Sequence, residues 1–178
     1  MKVFINPGHC PGIDPGAVGN SGLTEAEVVK NVGALVEKYL QNVGIETESL
    51  QDDSLGYVCS MANASDADIF ISIHCNAAGS PAALGTETFR YVGSVEGGKL
   101  GLAIQNQITA SLGTVDRGLK DAVPGRNGLY VLSNTDMTAV LVELAFISNP
   151  GDEQLLATQQ VEFARAIARG VTDYIQMQ

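Results

Sequence analysis

Apolar residues along the chain alternate between a spacing typical of buried strands and one typical of amphipathic helices. Short apolar or alternating runs predict strands at 3–6, 45–49, 69–73, 86–92, 129–132 and 140–146. Apolar residues three or four positions apart predict helices at 25–43, around 55–65, around 100–112 and from about 158 to 176. We therefore expect one three-layer α/β domain over residues 1–178, with a twisted, mostly parallel sheet of about six strands and helices on both faces.

The two histidines of the chain each follow a predicted strand. His9 follows the strand at 3–6 in a stretch rich in Gly and Pro, and His74 follows the strand at 69–73. Ligands bind beside the carboxyl ends of strands in such sheets, so we expect both imidazoles at one edge. A lone histidine there is usually an ordinary polar residue. Two together favour a zinc site, for which three protein ligands are typical.

The predicted first helix offers a third ligand within GLTEAEV. Thr24 and Glu27 have the T-x-x-E spacing of a capping box, which gives Glu27 a structural role. Glu25 lies at the first helical position, near the same edge as His9, and is free to face a metal. The alternative is that both glutamates simply favour the positive end of the helix dipole, and the spacing leaves the two interpretations open.

Cys10 and Cys75 each stand next to a histidine. Neighbours in a strand point to opposite faces, so Cys75 should face away from a metal that His74 binds. We expect both cysteines to be small, mostly buried residues rather than ligands. A disulfide between them is the open alternative.

Glu143 interrupts the apolar run AVLVELAF. An ionised carboxylate in a strand covered on both faces is costly unless it is paired or linked to a metal. Apolar surroundings raise the pKa of a carboxyl group towards neutrality, where a general acid or base operates. We therefore interpret Glu143 as a proton-transfer group beside a metal. A strand-end glutamate that reaches solvent or pairs with arginine is the alternative.

Composition narrows the classes of function. The net charge is −10, which argues against nucleic acid as a partner. No apolar run approaches the length of a membrane span, and no signal peptide is visible at the start. We expect a monomer.

Four stretches carry a family resemblance: NPGHCPGIDPGAVG with GLTEAEV, ANASDADIFISIHCNA, GTETF, and VLVELAFISNP with Asp152. In this order they resemble the zinc-dependent N-acetylmuramoyl-L-alanine amidases of the amidase-3 type, over nearly the whole chain. The resemblance implies zinc ligands at His9, Glu25 and His74 and a catalytic carboxylate at Glu143.

The same resemblance implies a substrate and its contacts. The substrate would be peptidoglycan, cleaved at the amide between N-acetylmuramic acid and the L-alanine of the stem peptide. Asn76 is similar to a residue that lines the site in the family, and Glu87 matches a recurrent acidic position; we expect both to bind substrate. Two alternatives stay open: a zinc peptidase or deacylase with another amide substrate, and a non-catalytic peptidoglycan-binding module.

This substrate implies a location outside the cytoplasm, in the periplasm or cell wall, or release as a phage-type lysin. An acidic domain gains no electrostatic attraction to an anionic envelope. We therefore expect a separate wall-binding module or a recruiting partner.

Overall fold

A six-stranded sheet crosses the molecule, whose residues 1–127 and 129–178 are described by the computed structural model. Its strands are β1 (Lys2–Pro7), β2 (Glu46–Ser49), β3 (Ile69–Asn76), β4 (Thr86–Tyr91), β5 (Asp116–Ala122) and β6 (Thr138–Phe146). Their order across the sheet is β2-β1-β3-β6-β4-β5. Neighbouring strands are parallel except β4 and β6, which are antiparallel. The prediction of a mostly parallel sheet is confirmed.

Helices cover both faces of this sheet. They are α1 (Glu25–Asn42), α2 (Leu55–Ala64), α3 (Val95–Leu112), α4 (Tyr130–Asn134), α5 (Pro150–Thr158) and α6 (Gln160–Gln176). One apolar cluster joins α1, α3 and α6 to the face that carries Ile71 and Val142. A smaller cluster joins α2 and α4 to the face that carries Phe70 and Leu141. The three-layer α/β class is confirmed, and no helix in the described ranges is long and apolar enough to cross a membrane.

The start of α1 follows the capping pattern of the sequence. Thr24 is the N-cap, and its Oγ1 accepts the Glu27 N–H at 3.4 Å and donates to Glu27 Oε2 at 3.0 Å. These contacts satisfy orphan groups at the helix end and keep Glu27 at the surface. Glu25, two residues earlier, is 3% exposed and points into the molecule.

Two carboxylates at the start of α5 fasten the loops around the sheet edge. Asp152 Oδ2 accepts the N–H groups of Phe146 at 2.9 Å and Gly85 at 2.8 Å, which ties the end of β6 to the start of β4. Glu153 Oε1 accepts the Ser21 N–H at 2.9 Å and the Ser21 hydroxyl at 2.6 Å. The helix therefore holds the segment that leads into α1.

One strand prediction was wrong, and one strand of the sheet was missed. The run at 129–132 was expected to be a strand, but Tyr130–Asn134 form α4, with Val131 and Leu132 in the smaller cluster. A four-residue apolar run has no period that distinguishes a strand from a buried helix turn. The sixth strand is instead β5, whose charged sequence DRGLKDA is typical of an edge strand.

Helix α5 was also missed. Asn149 caps it, accepting the N–H groups of Gly151 and Asp152, and Pro150 occupies its first turn. Asn-Pro before an acidic turn is a helix-start signal.

Replacing Ile71 with alanine should destabilise the fold. Ile71 is fully buried at the centre of β3, so the truncation leaves a cavity between α-helices and sheet. We expect Ile71→Ala to lower the free energy of unfolding by about 2–5 kcal/mol in urea denaturation. Leu102→Ala is the matched control because Leu102 is half-exposed on α3. It should change that free energy by less than about 1 kcal/mol, and an equal loss in both variants would contradict the packing described.

Candidate active site

A tight loop after β1 presents the first histidine. Cys10 N–H donates to Asp14 O at 2.9 Å and Asp14 N–H to Cys10 O at 2.8 Å, which folds the loop back on itself. His9 has φ 58°, a left-handed conformation that costs energy for a residue other than glycine. This fold places Asp14 Oδ2 2.6 Å from His9 Nδ1. Nε2 of His9 is thereby left to face the sheet edge.

Glu25 lies between the two histidines. Its Oε2 is 3.2 Å from His9 Nε2, and its Oε1 is 2.8 Å from His74 Nδ1. Backbone groups fix the same carboxylate, because Ala17 N–H donates to Oε2 and Cys75 N–H to Oε1, each at 3.0 Å. The first turn of α1 is therefore tied to the end of β3.

The three side chains form a cluster suited to a metal ion. One potential ligand atom from each of His9, Glu25 and His74 lies within 4.8 Å of the others. Two imidazoles and one carboxylate are a ligand set of catalytic zinc, and a carboxylate on the second nitrogen of a ligating histidine is its usual outer partner. Asp14 supplies that partner for His9.

Charge in the cluster is set by these contacts. Hydrogen bonding to Glu25 raises the pKa of His9 to about 9, with Asp14 adding to the effect against burial. Burial opposes ionisation of Glu25, but its hydrogen bonds with His74 and His9 hold its pKa well below the usual range. The carboxylate is therefore ionised at neutral pH, as a metal ligand must be.

Glu143 lies beside His74 on the neighbouring strand. The two residues are register partners in the parallel β3–β6 pair and so lie on the same face. Glu143 Oε2 is buried and has no hydrogen-bond partner among residues 1–127 and 129–178. Burial raises the pKa of Glu143 to about 7. The carboxyl group is thus poised to exchange a proton at neutral pH, and no arginine of the described chain pairs with it.

An apolar cavity of about 130 Å³ opens next to these two side chains. Its lining residues are Leu55, His74, Leu129, Tyr130, Val131, Leu141 and Glu143. The misassigned run at 129–132 therefore contributes to the site as part of a cavity wall.

Asn76 of β3 and Glu87 of β4 are hydrogen-bonded to each other across β6. Asn76 Nδ2 donates to Glu87 Oε1 at 2.6 Å, and Arg117 Nε donates to Glu87 Oε2 at 2.7 Å. Lys120 Nζ pairs with the same oxygen. Burial opposes ionisation of Glu87, but Lys120 and Arg117 lower its pKa. All six residues that the sequence singled out thus lie along one edge of the sheet.

The cysteines take no part in the cluster. Cys75 packs in the larger apolar cluster, on the opposite face from His74, and burial raises the pKa of its thiol. Cys10 is partly buried in the His9 loop. Both are free thiols, and the disulfide alternative is not found.

Sequence reasoning missed Asp14, Arg117 and Lys120. Asp14 had a signal, since an aspartate follows His9 by five residues within the same Gly- and Pro-rich loop. Arg117 and Lys120 had none, because their strand was not predicted and their partner Glu87 is distant in sequence.

A model of one protein family, N-acetylmuramoyl-L-alanine amidase of the amidase-3 type, matches residues 3–173. This chain belongs to the N-acetylmuramoyl-L-alanine amidase family. Its solved neighbours include the amidase AmiC2 of Nostoc punctiforme, with a TM-score of 0.89, 31% identity, and coverage of 99% of this chain and 97% of that one. The fold of this family member is therefore that of an amidase catalytic domain.

Relatives by sequence differ in their own length. The uncharacterised protein YqiI of Bacillus subtilis is 36% identical over 97% of this chain and 84% of its own length. The amidase LytC of the same organism is 37% identical over 97% of this chain, which spans 35% of LytC. This amidase-family chain thus spans most of the length of YqiI and about a third of the length of LytC.

Adding a methyl group at Gly8 should disrupt the metal cluster. A Cβ there would collide with the His74 imidazole: it would lie 2.7 Å from Nδ1 and closer still to Cε1 and Nε2. After incubation with Zn²⁺ and dialysis, we expect Gly8→Ala to retain much less of the added metal than wild type, measured by elemental analysis. Gly79→Ala is the matched control, since a Cβ at Gly79 meets no atom within 4 Å and its zinc content should equal wild type. Full zinc retention in Gly8→Ala would contradict this geometry.

Removing the charge of Asp14 should weaken zinc binding in a pH-dependent manner. Asp14 orients His9, and losing such an outer partner typically costs about 10–100-fold in metal affinity. We expect this loss for Asp14→Asn above pH 9, where His9 is deprotonated in both proteins. Below pH 9 a proton competes with the metal at His9, and it competes less in the variant because the raised pKa falls towards its usual value.

The difference in zinc affinity between the Asp14→Asn variant and wild type should therefore become smaller as the pH falls from 9.5 to 7. Competition for zinc with a chromophoric chelator measures the affinity of each protein at each pH. Asp53→Asn, at an exposed position, controls for net charge. A gap that is constant with pH would show that Asp14 does not set the protonation of His9.

Proposed function

We propose that this chain is a zinc-dependent amidase that hydrolyses the amide between N-acetylmuramic acid and L-alanine in peptidoglycan. The observation that carries the proposal is the cluster of His9, Glu25 and His74 beside the unpartnered Glu143 carboxyl group. Membership of the amidase family and the likeness to the amidase AmiC2 support the choice of substrate.

In this proposal His9, Glu25 and His74 hold the zinc ion. When bound, zinc supplies a Lewis acid that polarises the scissile carbonyl and lowers the pKa of water to about 7. The protein contributes a rigid ligand set, because Asp14 and the N–H groups of Ala17 and Cys75 fix the side chains in advance. Ligands held in this way need no rearrangement when substrate arrives.

Glu143 acts as the proton carrier. Its carboxylate takes a proton from the attacking water and later delivers it to the departing alanine nitrogen, so that the C–N bond breaks without expelling an amide anion. A pKa of about 7 suits both steps, since the group can accept and release a proton near neutrality. We assign Asn76 and Glu87, which are hydrogen-bonded to each other on the same edge, to the substrate-binding side of this centre.

The substrate places the protein outside the cytoplasm, in periplasm or cell wall, or among released lysins. An acidic domain is not attracted to an anionic wall, so a wall-binding module or a recruiting partner would concentrate it there. Pull-down of this chain with purified walls tests that part of the proposal, since the chain alone should bind weakly.

Replacing Glu143 with glutamine tests the mechanism. Glutamine keeps the shape but cannot carry the proton, so we expect turnover of purified peptidoglycan to fall by at least about 100-fold. Zinc content should stay at the wild-type level, because Glu143 is outside the ligand cluster. Near-normal turnover by a zinc-loaded Glu143→Gln protein would overturn the assigned role.

Product identity separates the proposed amidase from its alternatives. Mass spectrometry of digested muropeptides should find free stem peptides that begin with L-alanine together with intact glycan strands. A zinc peptidase would release fragments cut within the stem, and a binding module would release nothing. Chelation should stop the reaction and added zinc should restore it.

A further inference from the structure

Two basic side chains of the edge strand β5 lie beside the proposed proton carrier and have no part in the mechanism above. Arg117 and Lys120 both pair with Glu87 Oε2. Glu87 is the register partner of Glu143 in the antiparallel β4–β6 pair. Opposite residues in such a pair share a face, with Cβ atoms about 4.5–5.5 Å apart. The two cations are therefore one side chain removed from Glu143.

A β-bulge in β5 brings Lys120 to the same face as Arg117. Thr86 pairs with Asp116, yet Phe89 pairs with Lys120, so β5 contains one extra residue between the two pairs. Gly118 sits in the bulge with φ 79°, a conformation that favours glycine. Without the extra residue Lys120 would move one position along β4 and point to the opposite face. The bulge thus determines which face of the sheet is basic.

The cations are held in place but keep exposed donors. The guanidinium of Arg117 lies 4.8 Å from the centroid of the Phe146 ring, and its Nη1 donates to Leu84 O at 3.4 Å. The side chains of Arg117 and Lys120 are 34% and 37% exposed. An arginine and a lysine together have more N–H groups than these contacts with Glu87 and Leu84 use.

Charge at this cluster is opposite to that of the whole protein. The chain carries a net charge of −10, whereas Glu87 is outnumbered here by two cations. Glu87 is itself occupied on both oxygens, by Asn76 on one and by the two cations on the other. A surplus of positive charge therefore faces solvent next to the reaction centre, which suits an anionic group on the substrate.

We propose that Arg117 and Lys120 form a carboxylate subsite for the leaving peptide. This inference rests on the proposed amidase function. A substrate whose second stem residue has a free α-carboxyl group would present a carboxylate one residue beyond the cleaved amide, and a substrate amidated there would not. One residue spans at most about 3.6 Å of chain, so this group lies within reach of a side chain next to Glu143. Arginine binds carboxylates through two N–H groups, and a neutral amide loses that charge-assisted pairing.

The test compares zinc-loaded enzyme on muramoyl tripeptides that differ in one group. In the first the α-carboxyl of the second residue is free, in the second it is amidated, and in a third the carboxyl-terminal group is amidated instead. We expect kcat/KM to be about tenfold higher for the first than for the second, the usual range for one charged hydrogen bond. The third should match the first, which assigns the effect to the second residue.

Variants locate the preference on these side chains. Arg117→Gln and Lys120→Gln should each reduce the preference for the free acid, and Arg117→Lys should keep part of it. Since removing a cation leaves Glu87 less well paired, the double change Glu87→Gln with Arg117→Gln preserves local charge balance and protects folding. This double variant should also lose the preference for the free acid. Lys99→Gln removes an exposed cation that pairs with Glu96 on α3 and should leave the preference unchanged.

A binding measurement provides a second readout. Calorimetric titration of holoenzyme with the free product peptide should show tighter binding of the acid than of the amide, with the difference shrinking as sodium chloride rises from 50 to 500 mM. Equal kcat/KM for acid and amide in wild type, or a preference that survives in both single glutamine variants, overturns the subsite and leaves the amidase function standing. Failure to cleave any of the three tripeptides overturns the function and the subsite together.

Discussion

The rest of the candidate site depends on the Glu25 carboxylate, which links α1 to the loop after β1 and to the end of β3. It contacts His9 from the loop after β1 and His74 from β3, and it accepts N–H groups from Ala17 and Cys75. A buried carboxylate without such partners would cost several kcal/mol. The capping of α1 by Thr24 and Glu27 leaves this side chain free for that role. Helix start and site are therefore specified by the same few residues.

The periodicity of apolar residues predicted the structure correctly in long segments and incorrectly in a short one. Helix α6 shows the strength of a long pattern, since Phe163, Ile167 and Val171 are all buried as their spacing predicts. The run at 129–132 shows the weakness, because its four residues satisfy strand and helix patterns alike and tertiary packing decides. Strand β5 could not be predicted because an edge strand with one side in solvent tolerates charges and glycine.

The residues of the candidate site also fall into those that the sequence predicted and those that it missed. His9, Glu25, His74 and Glu143 could be found because each breaks a local rule: a polar group ends an apolar run, occupies a spare first-turn position, or interrupts a buried strand. Asp14 obeys the ordinary preferences of a turn, so its contact with His9 became visible only once the loop was folded. Lys120 acquires its position from pairing across β4 and β5, which depends on a bulge that no local pattern predicts.

The single antiparallel pair gives the sheet edge two different electrostatic sides. Parallel strands β1, β3 and β6 bring the metal cluster and Glu143 to their carboxyl ends. Because β4 runs the other way, the beginning of that strand, not its end, reaches this edge, and Glu87 lies opposite Glu143. Two carboxylates so close would repel each other, and Arg117 and Lys120 offset that repulsion. Reversing one strand thus places the candidate metal cluster on one side of Glu143 and the cluster of Glu87, Arg117 and Lys120 on the other.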